Sequence, residues 1–173
     1  MASPLLQGRN RGRSFAVMTR SAQAWFDEYS ESHRNPTNKV LHWVCVPVIL
    51  LSVVGVLWAL PFPGAWREIS PFFNWASVIA LLAVLYYFSL SASLGLGMIV
   101  VMLAMLGIVY ALDQLPVPLW ITCVALFVVA WIGQFIGHAV EGKRPSFFKD
   151  VQFLMIGPLW LLAHLFRRAG IPF

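Results

Sequence analysis

Four histidines are the residues of this chain best able to do chemistry: His33, His42, His138 and His164, each near an end of a long apolar run. Ionisable groups at membrane depth are costly, so where they occur they mark function. Imidazoles arriving from separate segments are the ligands that zinc, copper or non-haem iron takes. His33 and His42 stand nine residues apart, which on one unbroken helix would point them to opposite sides. The Asn35-Pro36-Thr37-Asn38 stretch between them removes that objection, because a turn there folds His33 back over the start of the next helix. His138 and Glu141 are three residues apart and share a face if their helix runs that far. Asn35, Asn38 and Gln134 are expected to hydrogen-bond the outer ring nitrogens and fix the rings' orientation. Taken singly, each histidine reads as a polar anchor or a bonded helix end. The convergence of three, with polar neighbours, is what favours a metal.

Those side chains need elements to carry them, and composition says of what kind. Of 173 residues 60% are hydrophobic and only 11% charged, against about 25% charged in soluble domains. The net charge of +5 suggests nucleic acid until its placement is considered. Six of the twelve Lys and Arg precede residue 40, and the others sit in short gaps between apolar runs. That pattern fits anionic headgroups and membrane orientation, so lipid is the expected partner and nucleic acid is not. Cys45 and Cys123 lie inside apolar runs with no metal spacing and read as buried spectator thiols. The basic start has no apolar stretch of the kind a signal peptide carries. Phosphate-cradling glycine loops, nucleophile elbows and HExxH are missing.

The expected architecture is all-α and integral to a membrane. It has four transmembrane helices, an N-terminal amphipathic helix and a C-terminal segment that is re-entrant or a fifth crossing. Residues 1–17 form a basic arm expected to be disordered, and 18–173 a single membrane helical domain. Phe15, Met18, Ala22, Trp25, Phe26 and Tyr29 recur at helical spacing, which predicts an interfacial helix ending near His33. Val40–Leu60 is long enough to cross about 30 Å of hydrocarbon, with Thr37 or Asn38 as its N-cap. The apolar stretch from Phe72 to Leu112 divides at Ser-Leu-Ser-Ala-Ser into helices over 72–91 and 94–112. Asp113 to Pro118 is a turn with Asp113 in solvent, and Leu119–Gly137 is the fourth run. Val151–Phe166 is short and holds Gln152, Gly157, Pro158 and His164, hence its ambiguous reading. With four crossings and cytoplasmic termini, every Lys and Arg except Arg67 falls inside, as the positive-inside rule prefers. The same parity returns His33, His42 and His138 to one face.

The segment His33 to His42, of pattern HxNPxNxxxH, follows Tyr29 and precedes Pro47; Gln134-Phe135-Ile136-Gly137-His138 and Pro145 come later. Together, over about residues 22–168, these resemble the 2-hydroxy fatty acid dioxygenase family. The resemblance implies an iron(II) dioxygenase that takes a 2-hydroxy fatty acid and O2 to the acid one carbon shorter and CO2. It would reside in a bacterial inner membrane or the endoplasmic reticulum. It makes His33, His42 and His138 the metal-ligand candidates. His164 is a further candidate, at a place where the fungal sequence carries Glu. Glu141, three residues after His138 where the fungal spacing is four, joins Asn38 and Gln134 as a candidate catalytic residue. Lys39, Lys143 and Arg144 are the candidates for attracting the substrate carboxylate. Two other readings stand beside this one: a non-catalytic membrane protein binding lipid or metal, and another membrane metalloenzyme acting on lipids.

Overall fold

A computed structural model describes residues 20–142 and 147–173, the side chains of Arg67 and of residues 147–152 excepted. The basic arm, Lys143, Arg144 and Pro145 lie outside the described residues. The described chain is helical throughout: α1 (Ala22–Glu31), α2 (Pro36–Ala59), α3 (Gly64–Ile69), α4 (Trp75–Leu90), α5 (Ala92–Asp113), α6 (Leu119–Glu141) and α7 (Phe147–Ala169).

Local chemistry sets these limits. Asn35, not Thr37 or Asn38, caps α2: its Oδ1 accepts from the Thr37 N–H at 2.9 Å. Pro36 then takes the first helical position, where its fixed φ suits the helix and its missing N–H loses nothing. Ser91 serves two helices at once. Its N–H bonds the Tyr87 carbonyl to close α4, and its Oγ accepts from Leu94 N–H to open α5. The hairpin therefore needs one residue, and the expected limits of 72–91 and 94–112 shift accordingly. α6 runs one turn beyond Gly137 and stops at Gly142, whose φ of 72° is the left-handed cap glycine accepts most readily. α3 was not expected; six residues are too few to show a period. Asp113 is not simply solvated, since it accepts the Trp58 indole N–H at 3.1 Å.

Three helices, α2, α5 and α6, are long and apolar enough to cross a membrane, and α4 is a shorter apolar helix. Only 22–33% of their most apolar windows is buried within the protein. Much of the remainder is exposed, including Leu103, Val129 and Ile132, an apolar surface better suited to lipid than to water. The sixteen residues of α4 rise about 24 Å.

α2 is the hub, packing against α4, α5, α6 and α7. It meets α6 most closely, through small residues. A β-carbon added at Gly55 or Gly133 would lie 2.2 or 2.6 Å from the sulfur of Cys123 or Cys45. At Gly137 it would lie 2.4 Å from Asn38 Oδ1. Such contacts let helix backbones approach where no hydrophobic drive brings them together. α7 is placed differently. From Ile156 to Ala163 it is buried without a break, enclosed by α1, α2 and α5. Tyr87 donates to the Met155 carbonyl at 2.8 Å, and the Trp160 indole donates to Ser30 Oγ at 3.0 Å. The helix expected over Val151–Phe166 extends at both ends, and its middle is an interior element rather than a lipid-facing one.

Candidate metal centre

Between Glu31 and Pro36 the chain makes a short turn that carries His33 back over the first turn of α2. Its Nδ1 donates to the Tyr29 carbonyl at 2.5 Å. On α2 itself, His42 Nδ1 donates to the Asn38 carbonyl at 3.0 Å. A carbonyl oxygen can only accept, so both rings carry a proton on Nδ1, and each Nε2 is an acceptor when its ring is neutral. Those two Nε2 atoms lie 2.7 Å apart. Two neutral rings so placed repel unless a proton or a metal cation lies between or beside them.

α6 brings the third ring. The centroid of His138 is 5.5 Å from that of His33 and 5.2 Å from that of His42. One ring nitrogen from each of the three lies within 4.8 Å of the other two. The rings are 3%, 2% and 9% exposed. Metal–imidazole bonds of about 2.0–2.1 Å place ligand nitrogens about 3–4 Å apart, so the group His33, His42 and His138 can hold a metal ion. Three neutral imidazoles leave coordination positions for other ligands. Helix count and charge placement put these three on one face, and the structure groups them.

The polar neighbours do something other than expected. Asn35, Asn38 and Gln134 are expected to hold the outer ring nitrogens with their side chains; at His33 and His42 the main-chain carbonyls of Tyr29 and Asn38 do so instead. The Asn35 side chain caps α2. Asn38 Nδ2 donates to the Ser32 carbonyl and to Glu141, each at 3.1 Å. Glu141 Oε1 accepts from the Arg34 N–H at 2.9 Å, and Oε2 accepts from the Asn35 N–H at 2.8 Å. Its carboxylate thus ties the end of α6 to the turn that carries His33. Gln134 is buried one turn from His138. His164 stands apart from the three: its ring meets Trp43 at 5.6 Å and Trp160 at 6.2 Å. Burial first, then the cations Arg168, Arg167 and Lys39, hold its pKa below the ordinary imidazole value.

Lys39 is exposed and lines a cleft of about 400 Å³ with His33, Arg34, Asp27, Glu31 and Trp160. Trp160 carries no signal in the sequence, whereas Tyr29 stands in it as the aromatic four residues before His33. Tyr29 stacks on His33, centroids 4.1 Å apart and 12° from parallel, and Trp160 packs at 5.4 Å from Tyr29. The four-residue spacing of Tyr29 and His33 was the only signal, and an interfacial aromatic gives the same one.

The sequence model of the family described as 2-hydroxy-palmitic acid dioxygenase Mpo1-like matches residues 19–169. The chain belongs to that family. A relative, the 2-hydroxy-palmitic acid dioxygenase MPO1 of Saccharomyces cerevisiae, is 28% identical over 146 residues, covering 82% of this chain and 78% of the yeast protein. No solved structure matches. The matched region of this Mpo1-like chain takes in the three imidazoles, Glu141, Asn38, Gln134 and the cleft. The family expected from HxNPxNxxxH and the later Gln134–His138 motif is the family found.

Proposed function

We propose that this Mpo1-like chain is an iron(II)-dependent membrane dioxygenase that shortens 2-hydroxy fatty acids by one carbon. In the balanced reaction R–CH(OH)–COOH and O2 give R–COOH, CO2 and H2O. The observation that carries the reading is the pair of Nε2 acceptors 2.7 Å apart, joined by His138 at the polar end of an apolar bundle. The yeast relative's name, a 2-hydroxy-palmitic acid dioxygenase, supplies the substrate class. An iron(II) ion, when bound, supplies the redox chemistry that dioxygen needs to react with a closed-shell acid.

The protein's own groups do the rest. His33, His42 and His138 hold the ion, with the outer nitrogens of His33 and His42 locked by main-chain carbonyls. Glu141 is a positioning residue that keeps the His33 turn against α6. Lys39 and Arg34 flank the cleft at His33 and draw the carboxylate there, and Lys143 and Arg144, next in sequence after α6, add positive charge. The acyl tail stays among apolar helices.

The same reading sets the topology. α2, α4, α5 and α6 cross the membrane, α7 does not, and both termini are cytoplasmic. Every Lys and Arg but Arg67 then faces the cytoplasm, as does the metal centre. The membrane is a bacterial inner membrane or the endoplasmic reticulum.

The test is direct. Protein purified in detergent is analysed for bound metal and given 2-hydroxypalmitate under O2, with pentadecanoate and CO2 measured. Iron with turnover is the expected result. Zinc in its place points to another metalloenzyme, and well-folded protein with neither metal nor product overturns the proposal.

A further inference from the structure

Among the described residues, two buried polar atoms beside the imidazoles have no hydrogen-bond partner: Gln134 Nε2, a donor, and Asn38 Oδ1, an acceptor. Gln134 is 5% exposed and Asn38 0%. Neither is remote from the metal centre. Gln134 lies four residues before His138 on α6, and Asn38 four before His42 on α2, so each shares a helix face with a metal-ligand candidate. Gly137 lets the two helices close on each other here. It sits three residues from Gln134 on α6, and Asn38 Oδ1 lies where its side chain would be. One unmet atom is thus contributed by each of the two helices that carry the imidazoles.

An unmet donor or acceptor inside an apolar bundle is destabilising. An apolar side chain at 134 would remove that cost, whereas Asn38 also serves Ser32 and Glu141 through its Nδ2; a single group that meets both unmet atoms has both hydrogen-bonding senses. A hydroxyl is such a group: its oxygen accepts from an amide N–H and its proton is donated to a carbonyl oxygen. A carboxylate accepts only and would set a like-signed oxygen against Asn38 Oδ1. A methylene does neither.

We propose that Gln134 and Asn38 read the 2-hydroxyl of the substrate and so separate 2-hydroxy acids from unsubstituted fatty acids. This rests on the function proposed above. It gives the two amides a specificity role distinct from holding metal. Sites built to bond a substrate hydroxyl discriminate against analogues that lack it far more strongly than apolar pockets discriminate by size.

The experiment measures equilibrium binding of 2-hydroxypalmitate and of palmitate to the metal-loaded protein without O2, so that no turnover intervenes. Intrinsic tryptophan fluorescence is the readout, and metal content is checked in each preparation. Wild type binds the hydroxy acid more tightly. Gln134→Leu, with metal content unchanged, weakens binding of 2-hydroxypalmitate about tenfold and leaves palmitate unchanged or tighter. Gln134→Met, unbranched and of similar length, replaces it if the leucine variant does not fold. A variant that keeps metal and keeps the wild-type preference overturns the assignment, leaving the two amides as a site for water. Wild type that binds neither acid and shows no turnover overturns the function itself. Wild type with normal turnover beside an indifferent variant overturns only the role of the amides.

Discussion

Glu141→Ala isolates what holds the His33 turn in place. The carboxylate accepts three hydrogen bonds, from Arg34 N–H at 2.9 Å, Asn35 N–H at 2.8 Å and Asn38 Nδ2 at 3.1 Å. Buried bonds to a charged group contribute about 1.5–3 kcal/mol each, but this site is only half-buried. Water can replace the acceptor at the exposed Arg34 N–H, and Asn38 Nδ2 keeps its bond to the Ser32 carbonyl. A net loss of about 2 kcal/mol remains, and it falls on the segment that presents His33. If that loss appears in metal binding, affinity drops about 30-fold, inside the 10–100-fold range of residues that orient ligands without touching the ion. Chelator competition on purified protein measures it. Glu141→Gln, which keeps one acceptor oxygen but sets an amide N–H₂ against backbone donors, should fall close to the alanine variant. Wild-type affinity in Glu141→Ala would refute the anchoring argument. Iron that is retained but shows an altered ligand-field spectrum would refute it differently, by making Glu141 a ligand.

Further outcomes follow from the same geometry. Gly137→Ala should lower detergent-phase thermal stability by about 1–3 kcal/mol, because the new β-carbon meets Asn38 Oδ1 at 2.4 Å; Gly107→Ala, with nothing within 4 Å, is the neutral control. His42→Ala should empty the centre of metal, whereas His164→Ala should retain it, since that ring packs on Trp43 and Trp160; elemental analysis separates them. Lys39→Ala should raise the substrate concentration needed for half-maximal rate and leave iron content alone. Trp58→Phe removes the bond to Asp113 and should cost about 1 kcal/mol in unfolding measurements with no change in turnover.

How the sequence foretold this centre is instructive in its particulars. The convergence of His33 and His42 was legible because Asn35 and Pro36 visibly interrupt the helix, and that of His138 because helix count fixes which end faces which. The partners of the outer ring nitrogens were not legible. At His33 and His42 main-chain carbonyls, present at every residue, take the role expected of amide side chains, and no residue type announces that choice. Glu141 was visible as a neighbour of His138, but its contact with backbone more than a hundred positions away was not. The interior position of α7 was hidden too. Its Gly157 matters because a β-carbon there would stand 3.2 Å from the Tyr29 hydroxyl, a contact that sequence separation conceals. α3 was lost for want of length, and the pairing of Asp113 with Trp58 for want of any local pattern.

The bonds from Glu141 to Arg34 and Asn35 span 107 and 106 positions, and this imposes an order on biosynthesis. A growing chain that has completed α1 and α2 owns two imidazoles and an untethered turn. Its third imidazole and the anchor emerge together, on the order of 5–20 s later at ordinary translation rates. The centre therefore forms only once α6 has been threaded. Under the proposed function, the ion finds its three imidazoles together only after α6 has been made.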